Sequence, residues 1–144
     1  MPWFDANMPV PRITPDTRAF WAACRDRRLV VQRCTRCGEY RFAPAPICPE
    51  CHGSDHENVE SSGRGEVFTW TITHRPVHPA VRQALPFNVV VVRLDDCGGA
   101  CIVSNLVGVP NEQIRAGLPV TVVWDPIDEE ITLPRFRALP KETL

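Results

Sequence analysis

Four cysteines in two closely spaced pairs are the residues of this chain best suited to chemistry. Cys34 and Cys37 form one Cys-x-x-Cys pair, and Cys48 and Cys51 form a second pair after ten intervening residues. Each pair can make a tight turn that points both sulfurs inward, so two such turns can close four thiolates around one tetrahedral zinc ion. The spacing therefore predicts a zinc ribbon, and a site with four protein ligands is typical of structural zinc.

The residues beside the two pairs suit these turns. Gly38 can take the positive φ that is needed just after a second cysteine, and Pro49 stiffens the second turn. Two structural alternatives compete with zinc. Two disulfides would need an oxidising compartment, and a thioredoxin-like redox pair would need one Cys-x-x-Cys beside a βαβ pattern, which is absent here. His52 and His56 follow the second pair, but four cysteines already complete the metal's ligand shell. We therefore expect both histidines at the surface.

Composition places limits on compartment and partners. The 144 residues have a formal net charge of −1 and a pI near 6.4, which gives no overall attraction to nucleic acid or anionic lipid. The first residues have neither the basic nor the apolar region of a signal peptide, and no apolar run approaches the length of a membrane span. Seven cysteines are an odd total, which argues against a secreted disulfide framework. These features predict a soluble, cytoplasmic protein.

Three units follow from the pattern along the chain. Residues 1–28 predict an arm and a helix that begins with a hydroxyl cap at Thr14 and runs to about Arg27. Residues 29–62 form the ribbon. Its composition turns polar from 55 to 62, and Ser61-Ser-Gly63 is typical of a junction with the next unit. Residues 63–140 form the third unit.

The third unit has the element order of an OB barrel. Strands are predicted at 66–73, 87–94, 100–106, 120–124 and 131–133, with a short helix at 110–116. Three strands, a helix and two strands is the order of this small, partly open Greek-key barrel. The predicted fold class is mainly β, with an N-terminal helix, a rubredoxin-like four-cysteine zinc ribbon and a C-terminal OB-fold barrel.

Several short motifs, in this order of elements, resemble one family. They are Leu29-Val-Val-Gln-Arg-Cys34, Cys37-Gly38, Ile47-Cys-Pro-Glu-Cys51, Gly63-Arg-Gly65 and Ile114-Arg-Ala-Gly117. From about Phe20 to Phe136 the chain resembles the zinc-ribbon/OB-fold proteins catalogued as domain of unknown function thirty-five. The ribbon motifs are the more specific part of this resemblance.

The resemblance implies a non-catalytic partner of thiolase-fold enzymes in acyl-CoA, lipid or steroid metabolism. Such enzymes include thiolase, hydroxymethylglutaryl-CoA synthase and lipid-transfer-protein-like aldolases, the last of which work with MaoC-type hydratases in steroid side-chain breakdown. In these assemblies the barrel is expected to help hold the CoA moiety, while the ribbon and helix bind the enzyme. The chain is similar to the stand-alone form, because no hydratase-like segment is present.

Five basic residues are candidates for binding CoA or a partner. They are Arg64, His74, Arg75, His78 and Arg93. Guanidinium groups can pair with a diphosphate, and loops at a barrel mouth commonly bind ligands. The two histidines are separated by a proline and do not share a helix face, which disfavours a metal pair. A plain solvated loop is the competing interpretation for the segment that contains them.

Three further sets of residues have both a structural and a functional interpretation. Six arginines could form a phosphate-binding patch or a solvated ribbon face: Arg25, Arg27, Arg28, Arg33, Arg36 and Arg41. Cys97 and Cys101 flank a Gly-Gly turn and are expected to be small residues at strand ends, not a redox pair. Trp70, Phe87 and Trp124 are expected in the barrel core, although aromatic residues on an exposed barrel face could instead stack an adenine or a base.

The leading functional hypothesis is an acyl-CoA-associated scaffold that docks a thiolase-like enzyme. No nucleophile with a base, acid pair or open metal site is legible, so no catalytic residue is assigned and we expect no activity from this chain alone. One alternative is a nucleic-acid module, since ribbons and OB barrels recur in such proteins, although the near-neutral charge disfavours it. A further alternative is an autonomous acyl-CoA thioesterase or hydrolase.

Overall fold

The computed structural model describes residues 3–140, in which a three-stranded sheet packs beside a six-stranded barrel. One α-helix, α1 (Arg18–Arg25), precedes both sheets. The strands are β1 (Leu29–Cys34), β2 (Tyr40–Arg41), β3 (His56–Ser61), β4 (Arg64–Thr73), β5 (Phe87–Leu94), β6 (Cys101–Ser104), β7 (Leu106–Val107), β8 (Pro119–Pro126) and β9 (Thr132–Ala138). In the described residues, no helix has the length and apolar character needed to cross a membrane.

Helix α1 begins one turn later than the sequence predicts. The Thr14 N–H donates to Thr17 Oγ1 at 2.9 Å, and the two hydroxyl oxygens lie 3.0 Å apart. The expected cap therefore stabilises a turn before the helix instead of the helix itself. One face of α1 is buried and consists of Phe20, Ala23 and Cys24. Burial raises the pKa of the Cys24 thiol to about 12, which marks this cysteine as a core residue.

The end of α1 has a Schellman motif built on a residue other than glycine. The Arg28 N–H donates to the Ala23 carbonyl and the Arg27 N–H donates to the Cys24 carbonyl, both at 2.9 Å. Arg27 has a φ of 59°, a left-handed conformation that glycine adopts readily and an L-residue adopts at a cost.

Replacing Arg27 with glycine is expected to stabilise the protein. Relief of the left-handed strain should raise the free energy of unfolding by about 1 kcal/mol in urea denaturation. Arg27→Ala removes the same side chain but keeps Cβ, so it should show no such gain. An equal gain in both variants would contradict the strain explanation.

The three-stranded sheet has the order β2-β1-β3 and contains a strand that the sequence does not predict. Strand β3 pairs antiparallel with the whole of β1, from Ser61 opposite Leu29 to His56 opposite Cys34. Most of the polar segment 55–62 is therefore strand, whereas the break between β3 and β4 falls within the junction predicted at 61–63. Most side chains of β3 are exposed on an outer strand, so its composition is polar and shows no apolar alternation.

The six-stranded sheet confirms the OB-fold prediction. Its order is β6-β5-β4-β8-β9-β7, and β7 closes the barrel by parallel pairing with β9, with Leu106 opposite Phe136. The predicted helix at 110–116 is only a 3₁₀ turn at Asn111–Gln113. It ends there because the Gly117 N–H donates to the Val67 carbonyl at 2.8 Å, which draws the chain back onto β4.

One hydrophobic core joins the ribbon sheet, α1 and the barrel. Leu29 and Val31 of β1 belong to the same buried cluster as Val90 and Phe136 of the barrel and Phe20 of α1. The ribbon therefore does not pack as a separate unit.

The junction between the ribbon and the barrel is fixed by hydrogen bonds as well. Asp96, in the turn after β5, accepts from Ser61 Oγ and from the Ser62 N–H, each at 2.7 Å. Both serines lie at the end of β3, so the last ribbon strand is tied directly to a barrel turn.

The predicted aromatic core is only partly correct. Phe87 is buried, and Trp124 is partly buried against the core. Trp70 is 39% exposed on β4, so its placement in the core is wrong. Strand β4 pairs with β8 only from Arg64 to Glu66, and Trp70 lies beyond this paired segment. Less of the barrel therefore covers its side chain.

Gly65 allows β4 and β5 to approach closely. A Cβ at this position would lie 2.4 Å from the carbonyl oxygen of Arg93, a backbone atom that cannot move without shifting β5. We expect Gly65→Ala to lower the free energy of unfolding by about 2–3 kcal/mol through overpacking, measured by urea denaturation.

Gly117→Ala is the control for this effect. Gly117 has a φ of 83°, but a Cβ there would meet no atom within 4 Å. The free energy of unfolding of Gly117→Ala should therefore fall by only about 1 kcal/mol, the cost of a left-handed conformation for alanine. Equal losses in the two variants would argue against a close-contact role for Gly65.

The N-terminal arm packs on the barrel. The ring centroids of Phe4 and Phe87 are 5.1 Å apart in an edge-on arrangement, and the Trp3 N–H donates to Asp125 Oδ2 at 3.2 Å. These contacts hold the two aromatic residues of the arm over β5 and the β8–β9 pair.

Candidate metal centre and binding surfaces

The four cysteines of the two Cys-x-x-Cys pairs converge on one point. Their sulfurs all lie within 4.8 Å of one another, with Cys34 3.6 Å from Cys51 and Cys37 3.6 Å from Cys48. Strand β1 delivers the first cysteine, and the turn that follows returns the second. In this turn the Gly38 N–H donates to the Cys34 carbonyl at 2.9 Å, and Gly38 has a φ of 78°.

The second turn uses a histidine where the first uses glycine. The His52 N–H donates to the Cys48 carbonyl at 2.9 Å, and His52 has a φ of 62°. Its side chain is exposed, and so is that of His56, as the sequence predicts. The backbone role of His52 was missed, although its position one residue after the second cysteine is equivalent to that of Gly38.

The cysteine cluster fits a closed zinc site. The Cys37 N–H donates to Cys34 Sγ at 3.5 Å and lowers the pKa of that thiol to about 6, while the Cys51 N–H lowers the pKa of Cys48. Both effects favour the thiolate form that zinc requires at Cys34 and Cys48. At Cys37 a backbone hydrogen bond from Glu39 lowers the pKa, but desolvation and the three neighbouring thiols outweigh it and raise the pKa to about 12. Four thiolates fill the tetrahedral shell of zinc and leave no position for water. The zinc is therefore structural, and it stabilises the two turns.

The remaining cysteines of the barrel have ordinary structural positions. Cys97 is buried and donates to Asp96 Oδ1 at 3.6 Å, and burial together with the carboxylate raises its pKa to about 11. Cys101 is half-buried and donates to the Gly99 carbonyl at 3.5 Å. Neither forms a disulfide. A thiol that stays protonated is a poor nucleophile, so these contacts favour the interpretation as strand-end residues.

The five basic candidates lie in two groups at opposite ends of β4 and β5. One group contains Arg64 and Arg93, and the other contains His74, Arg75 and His78. Arg93 pairs with Glu66 at one end, and Phe87 pairs with Thr73 at the other. The seven residue steps between these two β4 positions correspond to about 23 Å of strand. One diphosphate therefore cannot contact both groups.

Individual contacts separate these candidates further. His78 Nδ1 accepts from the Ala80 N–H at 3.1 Å and caps the 3₁₀ helix at Pro79–Ala84, an element that sequence reasoning did not predict. His74 and Arg75 are exposed in the loop before it. The Arg93 guanidinium lies over the Phe68 ring at 4.5 Å from the centroid.

The arginine patch of the ribbon is dispersed and partly neutralised. Arg41 is buried, and its Nε donates to Gln32 Oε1 at 2.7 Å. Arg28 and Arg33 face the acidic residues of β3 in exposed ion pairs, at 3.9 Å from Glu60 and 3.7 Å from Glu57. These contacts favour the solvated-face interpretation over a phosphate-binding patch.

An apolar groove, which sequence reasoning missed, covers part of the outer face of β5 and β6. Its volume is about 530 Å³, and it lies between the arm, α1, the loop at 42–44 and the barrel. Val89 and Val103 line it on the strands, and they alternate with the buried Val90 and Ile102. OB domains bind ligands on this face. The lining comes from segments far apart in the sequence, so no local pattern indicates the groove.

A buried ion pair lies beside this groove. Arg135 Nε donates to Asp125 Oδ2 at 3.1 Å, and the two residues are 6% and 7% exposed. Arg135 Nη1 donates to Asn105 Oδ1, and its guanidinium carbon lies 5.4 Å from the ring centroids of Trp3 and Phe4. Burial lowers the pKa of Arg135, and the neighbouring carboxylate opposes that effect. The aromatic arm therefore covers the pair.

Two family models match consecutive parts of the chain. The rubredoxin-like zinc ribbon domain of ChsH2 matches residues 21–57, and the C-terminal OB-fold domain of ChsH2 matches residues 58–125. A solved structure named Ltp2-ChsH2(DUF35) aldolase is 40% identical, with a TM-score of 0.79 over 90% of this chain and 98% of the matched chain.

Curated relatives are similar over most of this chain. A DUF35 domain-containing scaffold protein of Pyrococcus furiosus is 32% identical over 111 residues, which cover 76% of this chain and 79% of the relative. A probable enoyl-CoA hydratase alpha subunit of Thermomonospora curvata is 41% identical over 138 residues, 95% of this chain but only 42% of the relative. The ribbon, the barrel and these similarities together show that the chain belongs to the DUF35 family of zinc-ribbon/OB-fold proteins.

Proposed function

We propose that this chain is a non-catalytic scaffold or accessory subunit that binds a thiolase-fold enzyme and helps hold the CoA moiety of its substrate. The observation that carries the proposal is the closed four-cysteine site, because a zinc ion with four thiolate ligands has no open position for a reacting water or carbonyl. The names of the relatives support it: one is a scaffold protein, one an aldolase and one a hydratase subunit.

We assign enzyme docking to the exposed barrel surface around Phe68 and Arg93, and not to the ribbon and helix that the family resemblance implies. Phe68 is 51% exposed on β4, and the guanidinium of Arg93 stacks on its ring. Aromatic and arginine side chains are enriched among the residues that dominate binding at protein interfaces. A pre-stacked pair also loses little conformational freedom when a partner covers it. Of the two roles predicted for Arg93 from the sequence, CoA binding and partner binding, this proposal assigns it partner binding.

We assign the CoA phosphates to the loop after β4. His74 and Arg75 are exposed there, whereas His78 is engaged as a helix cap. This loop connects the first two barrel strands, a position from which OB domains commonly contact ligands. An arginine side chain can form paired hydrogen bonds to a diphosphate. Arg64, at the opposite end of β4, is too distant to share that contact.

Pull-down of the tagged chain from extracts of its native host tests enzyme binding. Mass spectrometry should identify a thiolase-fold enzyme with the native chain, and Phe68→Ser should lose it. Ile47→Ser is the comparison, because Ile47 is similarly exposed, at 54%, but lies on the ribbon. Loss with Ile47→Ser alone would move the docking site to the ribbon. Recovery of a hydratase without a thiolase-fold enzyme would overturn the thiolase assignment, and recovery of neither would overturn the scaffold proposal.

Calorimetry with CoA tests the second half of the proposal. The double variant His74→Ala, Arg75→Ala should weaken CoA binding about tenfold or more, since hydrogen bonds to charged groups are the stronger ones. Arg115→Ala removes an exposed arginine elsewhere on the barrel and should have no effect. Absence of any CoA binding, by the chain alone and by its enzyme complex, would contradict this part.

A further inference from the structure

We infer that the groove over β5 and β6 binds a small apolar molecule that carries one neutral hydrogen-bond acceptor, such as an ester, thioester or ketone carbonyl. This inference goes beyond the proposed function, because the groove needs neither a CoA moiety nor a partner enzyme to bind such a molecule. Its success or failure is therefore independent of the pull-down and of calorimetry with CoA.

The volume and lining of the groove favour a small apolar ligand. Its volume of about 530 Å³ falls within the range of about 300–1,000 Å³ that is common for small-molecule sites. Met8 of the arm lines one side, Trp21 of α1 and Phe42 of the ribbon line another, and Val89 and Val103 belong to the barrel. Walls from three separate parts of the fold make the surface concave, and their side chains are apolar.

Arg135 supplies a polar contact at this apolar site. It lines the groove, and within residues 3–140 its side-chain hydrogen bonds are made by Nε, to Asp125, and Nη1, to Asn105. Nη2 is the remaining nitrogen that can donate to a bound molecule. Nη2 is not fully buried, so a bound molecule can reach it, and a ligand that displaced its water without offering an acceptor would leave the donor unpaired.

The charge balance of the site favours a neutral acceptor over an anion. Asp125 already neutralises Arg135 at 3.1 Å, so a second carboxylate would enter an apolar site without a counter-charge of its own. A carbonyl oxygen can accept from Nη2 without that penalty.

Two other polar side chains of the lining, Ser104 and Asn105, have partners within the fold. Ser104 Oγ donates to the Pro134 carbonyl at 2.6 Å, and Asn105 Nδ2 donates to the Asn88 carbonyl. These bonds favour a ligand with one acceptor near Arg135 and an apolar remainder.

Fluorescence titration with methyl cis-parinarate tests the inference on the zinc-loaded full chain. This probe is an extended hydrocarbon with one ester carbonyl, and its emission rises when it leaves water. We expect saturable binding of the ester, and binding of the free acid, cis-parinaric acid, that is about tenfold or more weaker at neutral pH. Equal or tighter binding of the acid would overturn the neutral-acceptor assignment, and no binding of the ester would overturn the site.

Matched glutamine substitutions locate the probe. Val103→Gln places a polar group at an exposed groove position and should weaken ester binding about tenfold, since apolar pockets discriminate on that scale. Ile47→Gln makes a comparable change at an exposed position outside the groove and should leave binding unchanged. Ester binding that is unchanged by Val103→Gln would show that the probe binds outside the groove. If the native groove takes only a peptide segment from a partner and not the ester, the small-molecule assignment is wrong.

The double variant Asp125→Leu, Arg135→Met tests the polar contact. If it folds, it should bind the ester about tenfold more weakly than the native chain does, because the donor is gone. Unchanged ester binding would contradict the role of Arg135. If it does not fold, Arg135→Lys, which keeps the positive charge beside Asp125 but removes Nη2, decides the same question in the same titration.

Discussion

Replacing Cys48 with serine is expected to unfold the ribbon and, with it, most of the protein. Cys48 is fully buried, and its sulfur lies 3.6 Å from that of Cys37 in the metal cluster. Binding of structural zinc contributes about 10 kcal/mol or more of folding free energy, which rivals the whole stability of a typical domain, about 5–15 kcal/mol. The shared core extends the damage, because β1 contributes Leu29 and Val31 to the same cluster as the barrel.

Circular dichroism and elemental analysis together measure this effect. Cys48→Ser should lose bound zinc and its cooperative thermal transition, and strong chelators should produce the same state in the native chain. Cys101→Ser is the matched control, because Cys101 is half-buried outside the cluster. It should keep one zinc per chain and a near-native transition. A Cys48→Ser protein that melts like the native chain would show that the metal does not hold the fold together.

Replacing Asp125 with alanine is expected to lower the free energy of unfolding by about 3–5 kcal/mol, because a buried guanidinium would lose its counter-charge. Asp125 and Arg135 are 7% and 6% exposed, so most of the guanidinium is out of contact with bulk water when the carboxylate is lost. The same change removes the acceptor for the Trp3 N–H and should loosen the arm. Urea denaturation measures the loss, and fluorescence of the tryptophans reports the arm.

Two variants separate charge burial from general damage. Glu60→Ala breaks the exposed pair with Arg28, which is 3.9 Å long, and should cost less than about 1 kcal/mol. The double variant Asp125→Leu, Arg135→Met removes both buried charges, so it should be more stable than Asp125→Ala alone. A double variant as unstable as the single one would show that packing, and not the unpaired charge, causes the loss.

The metal site and the barrel order could be predicted because their signals are local. A Cys-x-x-Cys turn needs only four residues to specify its geometry, and Gly38 adopts the positive φ expected of it. Strand β5 alternates along eight residues between a buried and a less buried face, and its predicted bounds match those observed.

The features that the sequence does not predict depend on contacts between distant parts of the chain. Strand β3 forms because β1 offers it a complete ladder of partners, and its own polar composition gives no sign of this. The 3₁₀ turn at Asn111–Gln113 stops where Gly117 pairs with Val67 of β4. The groove over β5 and β6 requires side chains from the arm, the ribbon and the barrel at once.

The character of the groove also bears on the alternative of a nucleic-acid module. Proteins that bind single strands combine aromatic platforms with a positively charged track along the backbone. On the described surface of this groove the cation is Arg135, and Asp125 already neutralises it. The face that other OB domains offer to nucleic acid is therefore apolar here and better matched to a hydrophobic ligand.

The common core of the ribbon and the barrel has a consequence for engineering chimeric proteins of this family. Exchanging the ribbon at the sequence boundary between the two halves would divide the buried cluster that Leu29 and Val31 share with Val90 and Phe136. It would also separate the serines at the end of β3 from Asp96. A chimeric protein that folds would have to receive α1, the ribbon and the barrel side chains of the shared core together from one parent protein.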